Sequence, residues 1–197
     1  MNEKVVISKI VPGGQGIGTL SDGRKIFLWN ALPDEIVTSF DTTKKKSHYL
    51  EGVATNIENR SVHREVPKDE CFLATSPWQM MDYTYELALK SELVVEVFRQ
   101  NDIVIDYPEV VTDEKSYNYR NKMEYALYYD LDAEKIKLAF HARGSHRKMP
   151  IENSSIERPE ILAEAQRIVD ELNEKGEEAR KYQSLLLRCD QNGKVSG

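Results

Sequence analysis

Four glycines crowd into residues 13–18 of "VPGGQGIGTLSDGRKIFLWN", and the residues after them have the composition of a strand rather than a helix. A dinucleotide-binding turn needs G-x-G-x-x-G leading straight into a helix whose N-terminus holds the pyrophosphate. Here Thr19 stands where the third glycine would fall, and no Gly-Lys-Ser/Thr of a phosphate loop occurs anywhere in the chain. The glycines therefore point to backbone curvature in a small β-barrel, where the missing side chain permits tight corners and close strand approach.

The neighbouring segments agree. "KVVISKIV" (4–11), "GIGTL" (16–20) and "RKIFLWN" (24–30) read as strands, the last two joined by Ser21-Asp22-Gly23, a hairpin turn. Residues 34–41 and 47–58 supply two more strands, linked through the polar run "TTKKK". Five short strands with glycine-rich corners predict a closed or nearly closed OB-like barrel over residues 1–66.

From residue 67 the character changes to α+β. "SPWQMMDYTYELALKSELVVEVFRQ" predicts a helix of about six turns starting at Pro77, a favoured first helical residue. Its expected buried stripe is Met80, Tyr83, Leu87, Val94 and Phe98, with Trp78, Met81 and Tyr85 beside it. "YNYRNKMEYALYYD" (117–130) alternates, with Tyr117, Tyr119, Met123, Tyr125, Leu127 and Tyr129 on one face. "KIKLAFHAR" (135–143) returns antiparallel to it. A second helix spans Pro159 to Lys175, with Ile161, Ala165, Ile168 and Leu172 inward and Gly176 as its stop. "SLLLRCDQNGKVSG" reads as a strand, an Asn-Gly turn and the start of a return strand. Such an interrupted hairpin would leave an open edge, which suggests a chain that continues into something longer.

Net charge is −6, so the whole-molecule field repels polyanions, and any nucleic-acid site must be local. Residues 135–148 hold five Lys or Arg, two His and no acid. Antiparallel pairing would set Arg120 and Lys122 beside His141 and Arg143, with Gly144 turning the chain so that His146, Arg147 and Lys148 extend the cluster. Such a surface neutralises phosphates; the alternative is a solvated strand face with Glu124 paired across it. A second basic point is the loop tip Lys44, Lys45 and Lys46, near Phe27 and Trp29. OB-like barrels stack bases on aromatics over a basic groove, but Phe27 and Trp29 alternate with Ile26 and Leu28, and alternation does not say which pair points inward. Two separated cysteines, Cys71 and Cys189, suit a reducing compartment, and with no apolar run of spanning length the expectation is a cytoplasmic protein with no membrane partner.

"GGQGIGTLSDGRKIFLWNALPDEIV", followed by "KKK" and "YLEGVATNIENRSVHREVP", resembles the TRAM domain that opens RNA (uracil-5-)-methyltransferases. "SPWQMMDYTYELALKSELV", "YRNKMEYAL" and "LAFHARGSHRKMPI" are similar to that family's central domain. The resemblance implies a barrel at 1–66 and a central α+β domain at 67–197, truncated before a Rossmann-like catalytic domain. It implies a role in recognising rRNA or tRNA for S-adenosylmethionine-dependent methylation, through Arg120, Lys122, His141, Arg143, His146, Arg147, Lys148, Lys44, Lys45 and Lys46. The catalytic cysteine and the S-adenosylmethionine site would lie in a separate or downstream domain, so no catalytic residue is expected here. Cluster-bearing members place Cys-Gly-Gly-Cys where this chain has Leu73-Ala74-Thr75-Ser76, and Ser154 stands at the last ligand position. One thiol, Cys71, does not make a four-thiolate site, so no iron–sulfur cluster and no other metal is expected. The alternatives are a free-standing TRAM-type RNA-binding module and a protein-interaction adaptor docking through its second helix.

Overall fold

A computed structural model describes residues 3–197. They form two compact units, one of residues up to 67 together with 77–112, the other of residues 68–76 with 113–197. The segment 77–112, helix included, thus groups with the barrel rather than following a single cut near residue 66.

In the first unit β1 (Val5–Ile10), β2 (Gly16–Thr19), β3 (Lys25–Trp29), β4 (Ile36–Lys45) and β5 (Tyr49–Asn59) close into a barrel in the order β1-β2-β3-β5-β4. All neighbours are antiparallel except β3 and β5. The glycines do what the barrel requires. A Cβ on Gly16 would lie 2.8 Å from the Ala31 carbonyl oxygen, and one on Gly52 2.5 Å from that of Asp41. Neither distance is tolerated by a packed backbone. Val5, Ile7, Ile26, Leu28, Val37, Phe40 and Leu50 fill the interior, which settles the alternation of β3: Ile26 and Leu28 point in, Phe27 and Trp29 out.

Helix α1 (Tyr83–Arg99) starts six residues later than the sequence predicts. Pro77–Met80 forms only a 3₁₀ turn. After it the backbone pairs with 63–65: Glu65 N donates to the Met80 carbonyl (2.9 Å) and Asp82 N to that of His63 (2.9 Å). Asp82 then caps α1, its carboxylate accepting from Tyr85 N at 2.7 Å. The expected stripe is also displaced. Leu89, Ser91 and Val95 are the buried positions, whereas Val94 and Phe98 are 42% and 40% exposed. With apolar residues on most sides of this helix, periodicity does not single out one face.

The second unit is a five-stranded antiparallel sheet, ordered β10-β9-β6-β7-β8, built from β6 (Lys122–Asp130), β7 (Lys135–His141), β8 (Lys148–Pro150), β9 (Leu185–Cys189) and β10 (Val195–Ser196). Helix α2 (Pro159–Glu174) covers one face. Met123, Tyr125, Leu127, Ile136, Leu138, Phe140 and Leu187 pack there against Ile161, Ala165 and Val169. Gly176 ends this helix region with φ +65°. The strand expected from Tyr117 begins only at Lys122, because Asn118 N and Arg120 N donate instead to the carbonyls of Ser155 and Ile156. Tyr119, ahead of the strand, is accordingly exposed, and Tyr129, near the far end of β6, is exposed as well rather than part of the core. A helical turn, Phe72–Thr75, belongs to this unit, and Cys71 beside it packs into the same core.

Candidate nucleic-acid interface

Residues directly opposite in an antiparallel pair share a face. Ala126 pairs with Ala139 and Ala139 with Pro150, while His141 pairs with Lys148 and Lys122 with Arg188. Alternation along each strand then sets Lys122, Glu124, Tyr128, Lys137, His141, Lys148, Leu186 and Arg188 on the face turned away from α2. Lys122, His141 and Arg188 are exposed there. Lys148 is half-buried, its Nζ donating to the Leu127 carbonyl at 2.7 Å. Lys137 is drawn to Asp130 at 2.7 Å. Glu124 accepts from the Ser184 hydroxyl at 2.7 Å, not from a cation across the sheet.

Arg188 is a member of this face that the basic segments of the sequence do not reveal. Its signal is subtle: in "LLLRC" the apolar Leu187 and Cys189 face the core, and alternation sends Arg188 outward. The sequence does not show that β9 lies next to β6, which brings Arg188 opposite Lys122.

The other residues of this unit expected to contact RNA, Arg120, Arg143, His146 and Arg147, sit at the sheet's end. His146 and Arg147 are exposed in a turn closed by the Ala142 N–H on the Arg147 carbonyl (2.8 Å), with Gly144 at φ +71°. Arg120 Nη2 donates to the Thr75 carbonyl at 3.0 Å, and Arg143 Nε to that of Leu73 at 2.7 Å. Burial first, and the Arg120 charge second, hold the Arg143 guanidinium below its ordinary pKa. Among the described residues Arg120, Lys122, His146, Arg147, Lys148 and Arg188 form no ion pair with a carboxylate.

Lys44, Lys45 and Lys46 lie in the other unit, at the tip of the β4–β5 hairpin. Lys44 is bound to Glu51 at 2.8 Å and sits 5.6 Å over the Tyr49 ring, while Lys45 and Lys46 are exposed. Phe27 meets Tyr49 edge-on at 5.8 Å. The outer wall of β3 and β5 thus carries half-buried aromatics beside lysines.

Cys71 packs into the core of the second unit, where burial foremost, then the charge of Asp69, pushes its thiol up to about 11. Ser154 Oγ donates to buried Glu157 at 2.6 Å, and Asp69 accepts from Ser155 N and Oγ at 3.0 and 2.9 Å. No group of three His, Cys, Asp or Glu converges as a metal site among the described residues. No helix among them is long and apolar enough to cross a membrane.

No family model matches the chain. Individual relatives do. The chain is 30% identical over 162 residues to an uncharacterized RNA methyltransferase of Lactiplantibacillus plantarum, covering 80% of this chain and 34% of that protein. It is 29% identical over 154 residues to one of Gloeobacter violaceus, covering 75% and 33%. For one of Fusobacterium nucleatum the identity is 31% over 160 residues, covering 77% and 32%. The chain is thus related in sequence to proteins named RNA methyltransferases, and it spans about a third of the length of those it matches.

Proposed function

We propose that this chain is the RNA-recognising portion of an S-adenosylmethionine-dependent RNA (uracil-5-)-methyltransferase and carries no methyl-transfer chemistry of its own. The observation behind this reading is the sheet face bearing Lys122, His141, Lys148 and Arg188 in a chain of net charge −6. Lys122, Arg120, Arg147, Lys148 and Arg188, bound to carbonyls or exposed rather than paired with carboxylates, supply positive charge for phosphate oxygens. The relatives' names supply the class of RNA chemistry. A methyl donor and the catalytic nucleophile would come from a domain outside these residues, the RNA being held here while that domain reaches its base.

The test is direct. Purified chain is titrated with unmodified tRNA and rRNA transcripts, and separately with S-adenosylmethionine in a calorimeter. The expected result is salt-dependent RNA binding with no heat from the methyl donor. Failure to bind either RNA at low salt would overturn the recognition role. Measurable S-adenosylmethionine binding would overturn the assignment of the donor site to another domain.

A further inference from the structure

Where β9 turns into β10, the second unit has an open cleft of about 390 Å³ lined by Arg188, Cys189, Asp190, Lys194 and Ser196. Register sets its polar side chains together. Ser196 pairs with Arg188, which on its other side stands opposite Lys122. Lys194, two residues before Ser196, shares that face by alternation. The row Ser196, Arg188, Lys122 thus crosses three adjoining strands, each about 4.8 Å from the next, with Lys194 beside its outer end. The turn that carries Lys194 is closed on itself. Asp190 N donates to the Lys194 carbonyl at 2.9 Å, Lys194 N to Asp190 Oδ1 at 2.8 Å and Gly193 N to the Asp190 carbonyl at 3.2 Å. Asp190 is the carboxylate among the lining residues, and its Oδ1 also accepts from Asn192 N at 2.9 Å. It is thus engaged by its own turn. Arg188 and Lys194 are exposed, and among the described residues neither pairs with a carboxylate.

We infer that this cleft is a phosphate subsite, in which one phosphate group of the RNA backbone is held by the Arg188 guanidinium, the Lys194 ammonium and the Ser196 hydroxyl. A guanidinium fork matches two phosphate oxygens at once, an ammonium acts as a point charge, and a hydroxyl donates to a third oxygen. Two like charges lining one cleft without a counter-charge repel each other, and an anion between them turns that repulsion into joint attraction. The closed turn sets the Lys194 backbone before any ligand arrives, which lowers the ordering cost of binding. Lys122, next in the row beyond Arg188, continues the positive path over the sheet. That the phosphate belongs to RNA rests on the reading above; a free phosphate ion would meet the same three donors.

The test has two arms. In the first, inorganic phosphate is titrated against chloride at equal ionic strength, and the NMR signals of residues 188 and 194–196 are followed. Phosphate should shift them saturably in wild type and not in Lys194→Gln. In the second, RNA affinity is measured over a range of salt. Lys194→Gln should lower the slope of log affinity against log salt by about 0.7–0.9. Ser196→Ala should weaken binding roughly threefold with the slope kept. Lys175→Gln, the same charge change at the C-terminal end of α2, should match wild type in both. Absence of a phosphate response at these residues, or an equal loss of slope in Lys194→Gln and Lys175→Gln, would overturn the subsite. RNA binding with a wild-type slope in Lys194→Gln would overturn it too while sparing the recognition role. A wild type that ignores RNA yet shows the phosphate shifts, lost in Lys194→Gln, would sink the RNA reading and leave an anion subsite standing.

Discussion

The two units treat positive charge in opposite ways. In the barrel unit most cations meet carboxylates: Arg24 meets Asp22 at 2.6 Å, Lys9 meets Glu96 at 2.6 Å and Lys44 meets Glu51 at 2.8 Å. Arg64, its side chain 9% exposed, lies 2.5 Å from Glu35, which is wholly buried. Glu35 also accepts from Leu32 N at 2.8 Å and Ser61 N at 3.1 Å, so this pair joins the β3–β4 connection to the segment leaving β5. In the sheet unit, ion pairing is concentrated along α2 and its flanks, as where Arg167 bridges Glu164 and Glu171. On the face away from α2, and at the sheet's end, Arg120 and Lys148 bind carbonyls, while Lys122, Arg147 and Arg188 are exposed and form no ion pair among the described residues. On the proposed reading, the barrel's paired cations serve its fold and the unpaired cations of the sheet unit serve the RNA. A net charge of −6 hides that division.

The comparison breaks most visibly at Glu35. Glu35→Ala leaves a buried guanidinium without its counter-charge and should cost the barrel unit about 3–5 kcal/mol. Both tryptophans, Trp29 and Trp78, lie in that unit. Urea unfolding followed by tryptophan fluorescence therefore reports on it, and an unchanged midpoint would show the pair to be dispensable. The sheet unit has its own buried carboxylate in Glu157, which accepts the Tyr125 hydroxyl at 3.0 Å. Tyr125→Phe removes that donor and should cost about 1–3 kcal/mol. Urea unfolding at 25 °C followed by far-UV circular dichroism gives the value, and a variant as stable as wild type would mean that Glu157 is satisfied elsewhere.

A smaller effect is expected at the N-terminus of α1. Asp82→Ala should cost about 1 kcal/mol through loss of the cap. The hydrogen bond from Tyr85 N, then that from His63, holds the Asp82 carboxyl below its usual pKa. Its stabilising contribution is therefore full above the unfolded carboxylate range and fades as pH falls toward the lowered native value. The difference between wild type and the alanine variant should shrink in acid; a difference that grows there would contradict the cap. Least conspicuous is Cys71. With its thiol raised to about 11, it should resist iodoacetamide at pH 8 in the folded chain and react only on unfolding.

Elements whose pattern is local were legible in the sequence. The Asp22-Gly23 hairpin, the alternation of "KMEYALYYD" and "KIKLAFH", and the helix from Pro159 to its Gly176 stop all appear where residue spacing puts them. Features that escaped depend on partners distant in the chain. Residues 77–82 have helical composition but pair with 63–65, and residues 117–120 alternate like a strand but pair with 155–158. The site divides along the same line. Lys122, His141 and Lys148 share a face because hairpin register is a local matter. Arg188 joins them through a neighbour more than sixty positions away, and the anchoring of Arg120 and Arg143 depends on carbonyls 45 and 70 residues distant.

The decisive measurement is the salt dependence of RNA affinity for wild type beside Lys122→Glu/Arg147→Glu/Arg188→Glu, with the barrel's Lys9→Glu/Lys25→Glu as the comparison. Each lost phosphate contact should lower the slope of log affinity against log salt by about 0.7–0.9. The sheet variant should show a slope reduced by about 2 and a marked loss of affinity, with the barrel variant close to wild type. Equal losses in both, or none in the sheet variant, would contradict a localised cationic face.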